Sequence, residues 1–470
     1  SMRARYAHRR LQCGGSEVIL LKDCLRVVQL KAEDLCGVDV LVEGNRITQI
    51  AKNIAVPCGS RVIDASHLVV APGLVNTHHH FYQTLSRNLP AVQTAKLFDW
   101  LVYLYEIWKG IDEEAVYVSS LLAMAELIKT GCTISTDHHY IYPQGFETDI
   151  PTLQFKAASD IGMRFLATRG SMSRSKKDGG LPPDSVVQDE DTILEHCEQT
   201  IQKFHDSASD SMRRVALAPC SPFSVSEELM RESAILARKY GVRLHTHLAE
   251  TSDEEDYCVQ MYGRRPLRLM EDCGFLGADV WYAHGIFFND EELETLAKSK
   301  TGIAHCPSSN MRLGSGICRV REMLDIGVPV GLAVDGSASN DSSDMLGEIR
   351  QALLLQRIRY GATGLTSKEA WQMATKSGAE ILGWEQSGSI EVGSLADIAC
   401  WNVDKLAYAG SLSDPSAALL FCGYDHAAEM VIVNGKIVVD NGHIVCIDEE
   451  KLKEDANMVA LRLYKKAGIA

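Results

Sequence analysis

The feature that most restricts the fold of this sequence is an alternation of strand-like and helix-like segments, which continues until eight strands are counted. Apolar residues at helical spacing fill most of the intervals, as in Asp112–Lys129, Ser226–Tyr240 and Ser343–Tyr360, and Asp112 is a predicted N-cap. The predicted strands are Pro72–His80, Thr130–Tyr140, Gly162–Gly170, Arg213–Pro222, Gly241–Glu250, Val280–Gly285, Thr301–Asn310 and Gly327–Asn340. This alternation predicts a (β/α)8 barrel, whose active sites lie at the carboxyl ends of the strands.

Both ends of the chain depart from this pattern. Short alternating strands with turn signals run from Glu17 to Val70 and return in Gly388–Trp401 and Met430–Cys446. We interpret them as one small discontinuous β-sandwich domain, residues 17–70 plus 388–446, beside a barrel of residues 71–387; two separate β appendages are the alternative. Residues 1–16 are expected to be a disordered extension and residues 447–470 a C-terminal helical segment.

The composition favours a small-molecule partner. The net charge of −15 and the pI near 5.5 disfavour a nucleic-acid-binding surface, which needs a basic stripe. No apolar run reaches the roughly 18–20 residues of a transmembrane helix, so no membrane partner is expected. The 14 cysteines include no Cys-x-x-Cys pair, which predicts mostly buried thiols in a reducing compartment, the cytoplasm.

Polar side chains gather where the predicted strands end. His78 and His80 lie two residues apart, hence on one face of the first strand, where two imidazoles supply half of a metal site. His247 lies at the tip of the fifth strand, with His245 one layer deeper as a hydrogen-bonded core residue. Asp335 ends the apolar eighth strand, and a buried carboxylate needs a partner or a metal. We therefore predict a metal site held by His78, His80, His247 and Asp335.

Two further polar residues are predicted beside this metal. Glu250 follows the fifth strand and is placed to lean over the metal without binding it. His284 ends the sixth strand, where its ring can hold a water or a substrate oxygen, and Asp335 is also the candidate general base. The other polar residues at strand ends are His138, His139, Arg169, Cys220 and His305.

These residues resemble a known family. The His-x-His pair with His247, His284 and Asp335 on an eight-strand pattern is similar to the amidohydrolase superfamily, in particular its deaminase and chlorohydrolase branch with His-x-x-Glu after the fifth strand. The resemblance extends from about Glu17 to the C-terminal region. Within that branch, the segments that resemble 8-oxoguanine deaminases are Val75–Leu85, Thr168–Ser173, Ala218–Phe223 and His305–Leu313.

The resemblance implies an enzyme that hydrolyses 8-oxoguanine to urate and ammonia with one divalent metal, zinc or, as an alternative, iron. Binuclear members carry a bridging carboxylated lysine in the fourth strand, and Val215–Pro222 contains no lysine, which implies a single metal. In the implied mechanism Asp335 accepts a proton from water, Glu250 protonates a ring nitrogen and assists the departure of ammonia, and His284 orients the attacking oxygen. Related enzymes often form dimers, so a homodimer is expected.

The resemblance also indicates how a purine-like or pterin-like substrate is bound. Two long connections, Phe81–Gly110 and Ser171–Gln188, are candidate walls or lids of the substrate pocket. Gln83 is predicted to bind a purine edge and Trp100 to stack on the ring, whereas Arg169 is either a substrate contact or an electrostatic scaffold. Guanine deaminases use an arginine after the fourth strand, and none is present there, so guanine is less favoured. The alternatives are deaminases of isoxanthopterin, guanine or S-adenosylhomocysteine, a triazine chlorohydrolase, and a non-catalytic scaffold paralogue.

Overall fold

The computed structural model describes Tyr6 and residues 18–469. The expected disordered extension, residues 1–16, therefore lies outside the described residues except for Tyr6, which is buried. The strands, in chain order, are β1 Val18–Cys24, β2 Arg26–Val27, β3 Val38–Glu43, β4 Arg46–Ala51, β5 Arg61–Asp64, β6 Leu68–Pro72, β7 Leu74–Asn76, β8 Cys132–His139, β9 Arg164–Ser171, β10 Arg213–Pro219, β11 Arg243–Leu248, β12 Val280–His284, β13 Gly302–His305, β14 Val330–Leu332, β15 Ile398–Asn402, β16 Met430–Val433, β17 Lys436–Asp440 and β18 His443–Ile444.

Helices fill the intervals between the barrel strands. The α-helices are α1 Leu97–Trp108, α2 Glu113–Lys129, α3 Ile150–Ile161, α4 Glu190–Phe204, α5 Glu227–Tyr240, α6 Ser252–Tyr262, α7 Pro266–Asp272, α8 Asp290–Ser299, α9 Pro307–Arg312, α10 Val320–Ile326, α11 Met345–Tyr360, α12 Ser367–Gln372, α13 Gly378–Leu382, α14 Pro415–Phe421 and α15 Glu449–Lys466. Short 3-10 helices cover Phe81–Ser86, Pro90–Val92, Lys176–Asp178, Asp184–Val186 and Leu406–Tyr408, and a π-helix covers Met373–Ser377. Within the described part of the chain, no helix combines the length and apolarity needed to cross a membrane.

The central sheet is the predicted barrel. Strands β7 to β14 pair in chain order, each parallel to the next. The N–H groups of Thr77 and Asp335 donate to the carbonyls of Leu332 and His78, both at 3.1 Å, and these bonds close the sheet between its first and last strands. The (β/α)8 fold is thus confirmed.

An apolar cluster fills part of the barrel interior. Trp281 is the largest of its side chains that come from the strand region. These buried residues are Val75, Ile134, Leu166, Ala216, Trp281, Ala304, Cys306 and Ala333. Ile381, Leu382 and Trp384 belong to the same cluster and come from the segment around α13. This packing leaves the carboxyl ends of the strands as the place for polar chemistry.

The predicted β-sandwich is formed from both ends of the described chain. A six-stranded sheet joins β2 and β6 to β15–β18, and a four-stranded sheet contains β1, β3, β4 and β5. A shared core that includes Ile19, Val42, Val70 and Ile432 lies between the two sheets. The domain boundaries at residues 17, 71, 388 and 447 stay predictions.

The local expectations differ in accuracy. Asp112 caps α2 by accepting a hydrogen bond from the Ala115 N–H, as predicted. The seventh and eighth strands are shorter than predicted, since β13 ends at His305 and β14 at Leu332. Pro307 begins helix α9 in the first case, because its fixed φ angle suits the first turn of a helix.

Candidate metal and substrate site

The carboxyl ends of the barrel strands bring the predicted site residues together. His78 and His80 follow β7, His247 lies in β11 and His284 ends β12. Asp335 lies in the turn after β14, three residues beyond the strand. All five side chains are buried. Their assignment as ligands or catalytic groups stays a prediction, whereas their proximity is an observation.

Hydrogen bonds to the backbone fix the proton positions of two of the imidazoles. Nδ1–H of His80 donates to the carbonyl of His138 at 2.7 Å, and Nδ1–H of His247 donates to that of Cys220 at 2.6 Å. In a neutral imidazole the other nitrogen then carries a lone pair. The two Nε2 atoms nevertheless face each other at 3.1 Å. Two lone pairs at this distance repel unless a cation lies between them.

The third imidazole is oriented by a longer chain of hydrogen bonds. Nδ1–H of His245 donates to the Trp281 carbonyl at 2.7 Å, so its Nε2 accepts. Nδ1–H of His78 donates to that atom at 2.8 Å. Nε2 of His78 is therefore unprotonated, has no hydrogen-bond partner and lies 3.2 Å from Oδ1 of Asp335. The expectation that His245 is a hydrogen-bonded core residue is met.

This donor set fits a divalent cation. Oδ1 of Asp335 lies 3.4 Å from Nε2 of His80, so one carboxylate oxygen and three imidazole lone pairs converge without a proton between them. Burial lowers the pKa of His78, His80 and His247, which keeps the rings neutral. Burial opposes ionisation of Asp335, but the Gly336 N–H and the Ser309 hydroxyl donate to its two oxygens at 2.7 Å, which favours the carboxylate form. Neutral imidazoles and a carboxylate are the ligands that zinc and iron accept.

The backbone at the site is strained. His284 and Asp335 have positive φ angles of 77° and 63°. Such conformations cost about 1–3 kcal/mol each for residues with a side chain, and they persist only where the surroundings enforce them. For Asp335 the enforcing contacts include the hydroxyl of Ser309, which donates to Oδ2 at 2.7 Å.

A buried carboxyl, that of Glu250, and a buried imidazole, that of His284, lie beside the group of three histidines and Asp335. Asn310 Nδ2 donates to Nδ1 of His284 at 3.0 Å, which places the imidazole proton on Nε2. That atom lies 3.3 Å from Oε2 of Glu250 and 3.8 Å from Oδ2 of Asp335. Burial, and then the charges of Asp335 and Glu254, raise the pKa of Glu250 well above its usual range. The site thus pairs an ionised Asp335 with a Glu250 carboxyl that favours its protonated form.

A pocket opens onto this cluster. Its lining residues are His80, Gln83, Leu97, Trp100, Leu101, Tyr140, Cys220, Ser221, Phe223, His247, Glu250, His284, Leu313, Asp335 and Ser339. Nε2 of Gln83 is buried without a partner, while its Oε1 accepts a bond from the Ala338 N–H at 3.3 Å. Trp100 Nε1 donates to the Ala338 carbonyl at 3.0 Å, which fixes the indole in the wall. Gln83 and Trp100 therefore lie where the sequence prediction needs them.

Arg169, predicted as either a substrate contact or a scaffold, is not among the residues that line the pocket. Its side chain is buried, and each of its three nitrogens donates to a protein acceptor. The acceptors are Nδ1 of His196, the Gly170 carbonyl and Oε1 of Gln188. The guanidinium also stacks 3.8 Å from the centre of the Tyr142 ring. Of the two roles considered for Arg169, these contacts favour the scaffold.

The sequence interpretation did not assign a role to Ser309 and Asn310. They follow β13 in the first turns of α9 and contact Asp335 and His284, respectively. The signal was present in His305–Leu313, a segment that carried the family resemblance. His305 itself lies on the opposite face of β13 from Ala304 and Cys306, which face the barrel interior.

Comparisons with known proteins agree with this geometry. Residues 69–438 match the model of the amidohydrolase family. The chain is 48% identical to 8-oxoguanine deaminase of Pseudomonas aeruginosa over 91% of this chain and 95% of that protein. It is 35% identical to an isoxanthopterin deaminase of an unknown prokaryotic organism over 92% of both chains. The crystal structure of atrazine chlorohydrolase from Arthrobacter aurescens TC1 complexed with zinc superposes with a TM-score of 0.90 and 32% identity, covering 94% of this chain and 100% of that one.

Proposed function

This chain belongs to the amidohydrolase family, and we propose that it hydrolyses 8-oxoguanine to urate and ammonia. The reaction class rests on one observation: the convergence of three imidazole lone pairs and a carboxylate, with the Glu250 carboxyl beside them, in a single pocket. The choice of 8-oxoguanine rests on the likeness to the Pseudomonas aeruginosa deaminase.

In this proposal His78, His80, His247 and Asp335 hold one zinc ion, and the zinc-containing relative supports that choice over iron. When bound, the metal supplies Lewis-acid activation of water at neutral pH. The chain orients the donors, because the backbone carbonyls of His138 and Cys220 fix two of the imidazoles through Nδ1.

The proton steps fall to the two carboxyl groups. Asp335 takes a proton from the attacking water, whose oxygen bonds to the ring carbon that bears the amino group. Glu250 donates its proton to the neighbouring ring nitrogen, and its raised pKa supports this role. The proton held by Asp335 then passes to the amino group, which leaves as ammonia, and Glu250 takes back the remaining hydroxyl proton as the ring carbonyl forms. His284, with its proton on Nε2, orients the attacking oxygen. Each proton transfer of this kind contributes about 10²–10⁴-fold to the rate.

The pocket favours a flat neutral ring. Among the described residues that line it there is no lysine or arginine, so a phosphate or carboxylate on the substrate would find no counter-charge. The unpartnered Nε2 of Gln83 offers a donor to a ring carbonyl or nitrogen. The indole of Trp100 provides a face for stacking.

The test is to load the purified chain with zinc, measure metal per chain, and follow conversion of 8-oxoguanine to urate by ultraviolet absorption. Isoxanthopterin and guanine are assayed at the same concentrations. We expect 8-oxoguanine to give the highest kcat/KM. A fully loaded protein that makes no urate but deaminates isoxanthopterin would transfer the proposal to the second substrate.

Location and assembly extend the proposal. Nine cysteines that the structure describes are buried thiols, for example Cys24, Cys132 and Cys400, which supports a reducing compartment, the cytoplasm. A homodimer stays a prediction, and size-exclusion chromatography with light scattering tests it.

A further inference from the structure

His138 is a buried histidine at the carboxyl end of β8 to which the proposed mechanism gives no role. It is 0% exposed, and its Nε2–H donates to the carbonyl of Ala218 at 3.0 Å. The proton on Nε2 leaves a lone pair on Nδ1. That atom is buried and has no hydrogen-bond partner among the described residues.

The same imidazole stands among the proposed metal ligands. One ligand atom from each of His78, His80, His138 and His247 lies within 4.8 Å of one from every other. The His138 ring stacks on that of His247 with centroids 4.8 Å apart and an angle of 24°, and it lies 5.5 Å from the His80 ring. Nε2 is held by the backbone, so Nδ1 is the nitrogen left to act as a donor.

We propose that Nδ1 of His138 is a further protein donor to the divalent metal, in addition to His78, His80, His247 and Asp335. The inference rests on the metal site of the proposed function but not on its substrate. A desolvated lone pair without a partner is unfavourable, and a cation at the cluster removes that cost. With His138 the donor set becomes four imidazoles and one carboxylate, which are ligand types that zinc accepts.

Two substitutions separate a donor from a structural histidine. In His138→Gln the amide nitrogen occupies the place of Nε2 and keeps the bond to the Ala218 carbonyl, but the donor at Nδ1 is lost. In His138→Asn the side-chain amide occupies the place of Nδ1 and supplies an oxygen donor, but the bond to Ala218 is lost. A donor role therefore predicts weaker metal binding in His138→Gln than in His138→Asn, and a structural role predicts the reverse order.

His139→Gln is the matched control. His139 is the next residue of the same strand, is equally buried, and donates from Nε2 to the Ile141 carbonyl at 2.6 Å. Its ring packs against Tyr82 and Tyr142 and is outside the histidine cluster. The same substitution at this position changes one buried histidine without changing the donor set.

The measurement is Co²⁺ binding to the metal-free full chain, read by visible absorption and by competition with a chromophoric chelator. Fewer donors strengthen the visible bands of Co²⁺. We expect His138→Gln to strengthen them and to weaken binding by about 10–100-fold, with His139→Gln near wild type. Wild-type bands and affinity in His138→Gln would overturn the inference. Weaker Co²⁺ binding in His138→Asn than in His138→Gln would also overturn it. A wild-type chain that binds no Co²⁺ would overturn the metal site as well, whereas bound Co²⁺ without 8-oxoguanine turnover would overturn only the substrate.

Discussion

Two sets of buried polar groups at opposite ends of the barrel are organised in opposite ways. At the amino ends, Arg164 of β9 pairs with Asp397, which precedes β15. Its five N–H groups have acceptors on Asp397, Asn434, Asp210 and Ser211, at 2.6–3.2 Å. At the carboxyl ends, Nε2 of His78 and Nε2 of Gln83 have no hydrogen-bond partner among the described residues.

The difference separates structure from function. Asp397 also accepts bonds from the Ser387 hydroxyl and the Asn434 N–H, so this pair joins the barrel to the β-sandwich with both carboxylate oxygens bonded. The carboxyl-end groups are equally buried, and in the proposed function the metal and the substrate satisfy them. Unsatisfied buried polar groups are costly, and proteins keep them where a ligand satisfies them.

The largest expected effect is on catalysis, at the carboxyl ends of the barrel strands. Glu250→Gln keeps the shape of the side chain but removes the acid, so kcat should fall by about 10²–10⁴-fold. Metal content and the urea midpoint should stay near wild type, because Glu250 contacts only His284 among the charged pairs. A variant that retains more than a tenth of the wild-type rate, roughly 1.4 kcal/mol in the barrier, would remove Glu250 from the mechanism.

Substitution of the Arg164–Asp397 pair at the amino ends of the strands should lower the stability of the protein instead. Arg164→Met leaves the Asp397 carboxylate buried without its partner, which costs about 3–5 kcal/mol of unfolding free energy, measured by urea denaturation. The double variant Arg164→Met, Asp397→Leu should recover much of that loss, because no charge is left unpaired. The kcat of the folded fraction should change little; a loss like that of Glu250→Gln would contradict the separation between the two ends.

Metal removal tests the proposed metal site as a whole. Zinc at 100 times its dissociation constant should stabilise the chain by about 2.7 kcal/mol relative to the metal-free protein, since it binds only the folded state. The increase in unfolding free energy should be the same in wild type and in Arg164→Met. Thermal denaturation with and without a chelator measures it, and the absence of any shift would contradict the interpretation of the lone pairs.

The smallest expected effect concerns substrate binding. Gln83→Met removes an amide with an unpartnered donor, so kcat/KM for 8-oxoguanine should fall by the value of one hydrogen bond, about 0.5–1.5 kcal/mol. Arg169→Met removes a guanidinium whose contacts are all internal, so it should lower stability and leave KM unchanged. The reverse pattern would return Arg169 to the substrate site.

The sequence by itself determined the barrel, the family and the group of residues at the strand ends. The two-residue period of a strand places His78 and His80 on one face, and the cap at Asp112 needs only its own helix. These are local rules, so they can be read without knowing the neighbours. The same rules predicted β13 and β14 to be longer than they are, because where a strand ends depends on the conformation of the segment that follows it.

Only the tertiary structure decided how those residues are used. The proton positions of His80 and His247 depend on the carbonyls of His138 and Cys220, and the direction of the Arg169 side chain depends on acceptors such as Gln188. In the sequence, His138 is one of several histidines at strand ends. In the structure its Nε2–H donates to the Ala218 carbonyl, which leaves Nδ1 with the lone pair. Closing the barrel brings together strands far apart in the chain, and hydrogen-bond partners chosen across that closure leave no periodic trace in the sequence.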